Sequence, residues 1–224
     1  MYGQNPIRPP EKGDGSTLQV VEIFGTLQGE GPFVGQPAVF LRLGGCNLAC
    51  AFCDTEFERF EPMGLVALVE HIEREAGVPR VRDLVVITGG EPLRQNIVPL
   101  CEALLAEGFR VQIETNGTLW RPLPEGVNIV CSPKMTDGRY HKLRPDVRAR
   151  VDALKFIVSA ADPSYRTVGD VGQAEAGRAI PIYVQPMDEG DPAKNAANTA
   201  HALALAQANG YRLSMQMHKL WGIA

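Results

Sequence analysis

The stretch DLVVITGGEPLRQNIVPLCEALLAEGFRVQIETNG, residues 83–117, decides the fold. Residues 83–92 are a continuous apolar run closed by Gly-Gly, as expected of a strand buried on both faces of a parallel sheet. Residues 97–108 carry apolar side chains at helical spacing and stop at a glycine. Residues 109–117 return to a strand pattern and end in Asn-Gly. Strand, helix and strand in succession are a unit of a parallel sheet with helices outside.

The same reading extends in both directions. Residues 18–24 and 37–45 predict two strands before the unit, and 63–77 a helix. After it, 127–134, 153–159, 180–187 and 211–219 predict strands, with an Ala-rich helix over 192–210. The class is α/β. No linker splits the chain and no internal repeat is present, so 17–224 reads as one domain behind an arm at 1–16. That arm is rich in Gly, Pro and charge, which predicts flexibility.

Ligands of such sheets gather at the carboxyl ends of the strands. Here those ends carry GGC, TGGEP, ETNG, SPK, QPMDE and HK. Glycines and polar groups at the same end of successive strands predict one shared site.

Composition narrows the functions. The chain has 224 residues, 45% apolar and 21% charged, enough for a sizeable core. Its net charge of −4 argues against non-specific nucleic-acid binding, which needs a basic footprint. No run approaches the ~20 apolar residues of a membrane span. The first residues lack the apolar segment of a secretory signal. Five cysteines, three of them crowded together, do not make a disulfide framework and fit a reducing cytoplasm.

The crowded three are Cys46, Cys50 and Cys53, spaced C-x3-C-x2-C. A loop of that length can wrap three thiolates around one face of an iron–sulfur cluster and leave one iron open to an external molecule. From these residues alone, two other readings stay open: a zinc site completed by a distant histidine, and buried thiols without metal. Cys101 falls at an apolar helical position and is expected in the core; Cys131 has no assigned role.

The cysteine motif, with aromatic Phe52 before its last cysteine and TGGEP at the end of a later strand, resembles radical S-adenosylmethionine enzymes. Three further segments are EIFGTLQGEGPFVGQPAVFLRLGGCNLACAFCDT (22–55), VQPMDE (184–189) and MQMHKLWGIA (215–224). With them the chain past the arm resembles the 7-carboxy-7-deazaguanine synthase family. The resemblance implies a partial or modified TIM-type (β/α)6 barrel and a [4Fe-4S] cluster held by Cys46, Cys50 and Cys53. It implies a carbon–nitrogen lyase reaction of 7-deazapurine (queuosine) biosynthesis. In it, a 5′-deoxyadenosyl radical takes hydrogen from C6 of 6-carboxy-5,6,7,8-tetrahydropterin, the ring contracts and ammonia leaves, giving 7-carboxy-7-deazaguanine.

Site residues follow from the same resemblance. S-adenosylmethionine is expected against Phe52, Cys53 and Asp54, then Gly90 and Glu114. Ser132, Pro133 and Lys134 come next, followed by Gln185, Pro186, Met187 and Asp188. The glycines suit close approach of the cofactor to the backbone, and Glu114 is assigned the ribose hydroxyls. The pterin is expected against Leu27, Gln28, Gly29 and Glu30, with Arg42 forking its carboxylate. Thr88, His218 and Ala224 complete that set. Thr55 is expected to ligate Mg²⁺, which prefers oxygen ligands; the same hydroxyl also suits a helix N-cap. The family implies a homodimer and an electron donor such as flavodoxin or ferredoxin. Two alternatives stand beside this reading: an activating enzyme that installs a glycyl radical on a partner protein, and a non-enzymatic zinc module.

Overall fold

The structure is a computed structural model describing residues 5–53, 55–136 and 138–223. Its elements run β1 Thr17–Leu27, β2 Pro37–Leu43, β3 Glu61–Gly64, α1 Leu65–Ala76, β4 Leu84–Gly89, α2 Val98–Ala106, β5 Arg110–Thr115 and β6 Val127–Cys131. There follow β7 Met135–Thr136, β8 Arg139–Tyr140, α3 Pro145–Arg150, β9 Ala153–Val158, β10 Ile182–Pro186, α4 Pro192–Asn209, β11 Arg212–Leu213 and α5 Met217–Trp221.

Nine strands form one sheet in the order β11-β10-β9-β6-β5-β4-β2-β1-β3. Every neighbouring pair from β2 to β11 is parallel. The first strand breaks the series, pairing antiparallel with β2. Only residues 28–36 join the two, too few for the crossover that a parallel pair requires. β3, not expected from the sequence, adds antiparallel to the free side of β1. The sheet ends on β3 and β11 and stays open, so the barrel is partial.

The three expected helices form α1, α2 and α4, packed on β1, β5 and β10. The connection from β5 to β6 has no helix, and that from β9 to β10 only short 3-10 turns. The expected last strand is largely wrong. Residues 211–219 alternate in polarity, but only Arg212 and Leu213 pair with β10. Ser214 then turns its hydroxyl to the Gly31 N–H and to Gln185, at 3.1 and 2.9 Å. The chain coils into α5, stopped by Gly222 at a φ of +68°.

Alternation along the strands separates core from site. Leu41, Ile87, Ile113, Leu154 and Phe156 belong to the main core with Leu68, Ile72, Leu100 and Leu104 of the helices. Their neighbours Arg42, Thr88, Glu114, Lys155 and Ile157 point the other way and line a cavity. Cys101 is fully buried in α2, as its helical position predicted. Among the described residues no helix is long and apolar enough to cross a membrane.

The described part of the expected flexible arm is fastened to the body. Ile7 bridges to Cys46, and the Arg8 N–H donates to the Cys46 carbonyl at 2.7 Å. Arg8 ion-pairs with Glu58 and Glu11 with the buried Arg94. A composition poor in apolar residues hid these ionic and backbone anchors.

Candidate active site

A cavity of about 560 Å³ opens at the carboxyl ends of the parallel strands. Residues from after β2, β4, β5, β6, β10 and β11 meet on its wall, which is the shared site that the strand-end motifs predict.

Cys46, Cys50 and Cys53 all line it. Cys46 is buried, and burial pushes its thiol up to about 11, with the nearby Glu91 and the two other cysteines adding repulsion. Burial also raises Cys50, against the pull of Lys134. Buried thiols that resist ionisation need a cation to become thiolates. Among the described residues no three His, Cys, Asp or Glu close on a single ion position. Three thiols on one loop at one wall of the cavity are a donor set that fits an iron–sulfur cluster. Thr55 lines the cavity, and the stretch 55–60 holds no helix, so the capping alternative has no helix to cap.

Gly89 and Gly90 both line the cavity, but packing explains why they are glycines. A Cβ on Gly90 would stand 2.0 Å from the Gly45 carbonyl oxygen, and one on Gly89 2.1 Å from that of Leu43. The strand end thus lies directly on the segment leading into the cysteine loop. Glu91, fully buried, accepts from Thr115 Oγ1, the Asn116 N–H and the Leu93 N–H, at 2.7, 2.7 and 3.0 Å. Burial raises its carboxyl despite these bonds. Asn116 donates to Asn47 beside Cys46 at 3.0 Å, and Asn47 to Thr118 at 2.8 Å. The TGGEP and ETNG turns are thereby tied to each other and to the thiol loop.

Of the residues expected around S-adenosylmethionine, Phe52, Cys53, Gly90, Glu114, Ser132, Lys134, Gln185, Pro186, Met187 and Asp188 share the wall. Pro133 is buried between its neighbours and is not on it. Asp54 lies outside the described residues. Lys134 donates to Ser132 Oγ at 2.6 Å and stands 5.8 Å over the Phe52 ring. Burial depresses its ammonium. Asp188 accepts from Lys219 at 2.5 Å, which holds its carboxyl down at about 2.

Of the residues expected around the pterin, Leu27, Gln28, Gly29, Glu30, Arg42, Thr88 and His218 line the same cavity, while Ala224 lies outside the described residues. Arg42 is not on an edge strand; it faces Thr88 of β4 on one side and Glu22 of β1 on the other. Its guanidinium bonds Glu22 at 2.6 Å. Gly29 is fitted to His218: a Cβ there would meet the imidazole Nδ1 at 2.6 Å. The Met217 N–H donates to the Gly29 carbonyl at 3.1 Å, so the QGEG turn and the C-terminal helix close on each other.

The residue that sequence reading missed is Lys155. It is 6% exposed and bonds Glu30 at 2.5 Å and Glu114 at 2.9 Å. Burial disfavours its charge, but the two carboxylates outweigh that and raise its pKa. Burial likewise pushes Glu30 up, yet Lys155 outweighs it and leaves Glu30 below the ordinary carboxylate range. Glu114 ends above that range, because its burial exceeds what Lys155 returns. One signal was available: a lone Lys inside the apolar run ALKFIVS must find an anion when buried. Glu22, Asn116, Gln216 and Lys219, to which sequence reading assigns no individual contact, also line the cavity.

The radical SAM superfamily model matches residues 41–169. The chain is 49% identical over 226 residues to the 7-carboxy-7-deazaguanine synthase of Rickettsia prowazekii, covering 100% of this chain and 96% of that one. It is 48% identical to the enzyme of the same name from Rhodospirillum rubrum, covering 100% of both. A crystal structure of QueE from Escherichia coli aligns with a TM-score of 0.69 at 28% identity, covering 92% of this chain and 99% of that one.

Proposed function

Since the chain belongs to the radical SAM superfamily and, within it, to the 7-carboxy-7-deazaguanine synthases, we propose that it converts 6-carboxy-5,6,7,8-tetrahydropterin to 7-carboxy-7-deazaguanine with loss of ammonia. The observation that carries the reading is a single cavity lined by both the three cysteines and the polar set Glu30, Arg42, Thr88 and His218. Full-length similarity to named synthases favours this over a glycyl-radical activating enzyme.

Cys46, Cys50 and Cys53 hold the [4Fe-4S] cluster, and Thr55 offers its hydroxyl to Mg²⁺. When bound, the cluster and S-adenosylmethionine supply the radical that removes hydrogen from the substrate. The chain's part is to seat and orient. The Gly90 segment, Ser132 and Lys134, and the 185–188 turn receive the cofactor. Glu114 has an acceptor site left on each oxygen for ribose hydroxyls, since Gln112 and Lys155 occupy one apiece.

A flat pterin needs both its edges and its carboxylate satisfied, because a buried polar group left unpaired costs about 1–3 kcal/mol. Arg42 forks the carboxylate, with Glu22 holding the guanidinium in place until it arrives. Glu30, kept ionised by Lys155, accepts from the guanidine-like N–H edge. Gly29 offers its N–H to the heterocycle edge, and His218 packs on Gly29 beside it. A one-electron donor such as flavodoxin or ferredoxin, a homodimer and a cytoplasmic setting belong to the same reading; the exposed Ala49 and Ala51 leave the cysteine loop accessible to a donor.

Anaerobic incubation with the carboxytetrahydropterin, S-adenosylmethionine and a reductant, followed by mass, tests it. Release of 7-carboxy-7-deazaguanine is expected. A reconstituted protein that cleaves the cofactor but leaves the pterin unchanged sinks the substrate assignment.

A further inference from the structure

The cysteine loop has little structure of its own. Within it the Cys53 N–H donates to the Cys50 carbonyl at 3.1 Å, and Ala49 and Ala51 are exposed. Its hold on the body comes from outside. Asn47 ties one side to the ETNG turn. The other side is held by the N-terminal segment.

That segment is anchored at its far end before it reaches the loop. Arg94 is 3% exposed, and its guanidinium bonds the Glu11 carboxylate at 2.7 Å and the Pro9 carbonyl at 3.2 Å. Arg121 donates to the Glu11 carbonyl at 2.8 Å. A buried cation binds its partner tightly because the alternative is an unpaired charge out of water. From this anchor the chain runs back along the loop. Arg8 clasps Glu58, and its N–H donates to the Cys46 carbonyl at 2.7 Å. Asn5 then reaches the cavity wall. Its amide donates to the Thr55 carbonyl at 3.0 Å and stands 4.0 Å from Cys53 Sγ.

We propose that residues 5–11 are a strap that positions the cysteine loop, with Asn5 as the positioning residue that fixes Cys53 and Thr55 together and donates an N–H to Cys53 Sγ, the sulfur of a cluster ligand. The inference rests on the cluster reading above. Hydrogen bonds to cluster sulfurs raise the reduction potential, because reduction adds negative charge that the donor stabilises. The backbone bond from Arg8 fixes the opposite end of the loop at Cys46. One short segment thereby grips the first and last ligands.

The test uses the full chain, reconstituted anaerobically, as wild type, Asn5→Ala, Asn5→Asp, Arg8→Ala and Arg8→Pro. Two quantities are read without substrate or S-adenosylmethionine: the midpoint potential by redox titration of the reduced-cluster spin signal, and the rate of iron loss to a chelator. Asn5→Ala is expected to shift the potential negative and Asn5→Asp to shift it further, since a carboxylate repels the charge that the amide stabilised. Arg8→Pro is expected to lose iron several-fold faster than Arg8→Ala, because only the proline removes the N–H to Cys46. Wild-type potentials in both Asn5 variants, or equal iron loss in the two Arg8 variants, would overturn the strap. The Asn5 variants keep the test decisive if Arg8→Pro does not fold. A wild type that takes up no iron and sulfide at all overturns the cluster reading instead, and the two failures are told apart at the first measurement.

Discussion

Two regions of the cavity wall solve the same problem in opposite ways. The cysteine loop and the floor built by Glu30, Glu114 and Lys155 both place ionisable groups out of water. The floor satisfies itself: two carboxylates close on one ammonium at 2.5 and 2.9 Å, all three projecting from a packed scaffold. The loop does not. Burial raises the thiols of Cys46 and Cys50, and the pull of Lys134 on Cys50 does not offset it. The floor is complete as folded, whereas the loop is completed by what it binds. Two strand positions and one tight turn suit the first task, and an irregular segment held by straps suits the second.

The sharpest way to break this contrast is to remove a thiol. Cys50→Ala is expected to abolish cluster uptake, read as iron, sulfide and visible absorbance after anaerobic reconstitution. The apo protein should unfold at nearly the same denaturant concentration as the wild-type apo protein, because Cys50 is only partly buried and belongs to no core cluster. A full cluster in the variant would show that the loop is not the ligand set.

The floor should behave in reverse. Lys155→Met leaves Glu30 and Glu114 buried without their cation, and breaking such a pair costs about 3–5 kcal/mol. Urea unfolding of the apo protein is expected to show that loss. The triple variant Lys155→Met, Glu30→Gln, Glu114→Gln should recover most of it, since no charge is then left unpaired. A Lys155→Met protein within about 0.5 kcal/mol of wild type would mean that water, and not the salt bridge, satisfies those carboxylates.

These two regions were also unequally legible in the sequence. The thiols lie within one short segment, so their spacing states their purpose. The floor joins positions 30, 114 and 155, which meet only through the order β1-β2-β4-β5-β6-β9, and a single sequence carries no sign of which distant residues meet. The parallel core was readable because buried strands are continuously apolar and their helices periodic. The reversal of β1 was missed because polarity alternation does not reveal strand direction. The tail was misread because its alternation continues past the point where a partner strand exists, at Leu213. Gly29 and Gly90 were seen as ligand-facing glycines, yet their nearest constraints are His218 and the Gly45 carbonyl.

Between loop and floor stands the hinge of the comparison, the amide of Asn116. The residue is 8% exposed and its backbone N–H donates to Glu91, while the side-chain amide is the group through which the rigid sheet holds Asn47 beside the first cysteine. Asn116→Ala should cost about 1–3 kcal/mol, the range for stranding a buried hydrogen-bonding partner. It should also speed iron loss to a chelator. Stability loss without faster iron loss would place Asn116 with the floor, and the reverse would place it with the loop.

The smallest effect is expected where neither description applies, at the rim. Asp188, at the end of β10, and Lys219, on α5, pair at 2.5 Å but both remain partly exposed, so solvent screens them. Lys219 holds the Asp188 carboxyl at about 2, below its ordinary 3.8. A carboxyl depressed on folding contributes stability only while it is ionised. The contribution is therefore whole above the unfolded value and fades as pH falls from 3.8 toward 2. Unfolding of wild type and Asp188→Asn should differ slightly at neutral pH and converge across that acid window. A difference that persists unchanged through it would mean that Asp188 acts through its bonds to Gly190 and Asn195, which the amide partly keeps, and not through its charge.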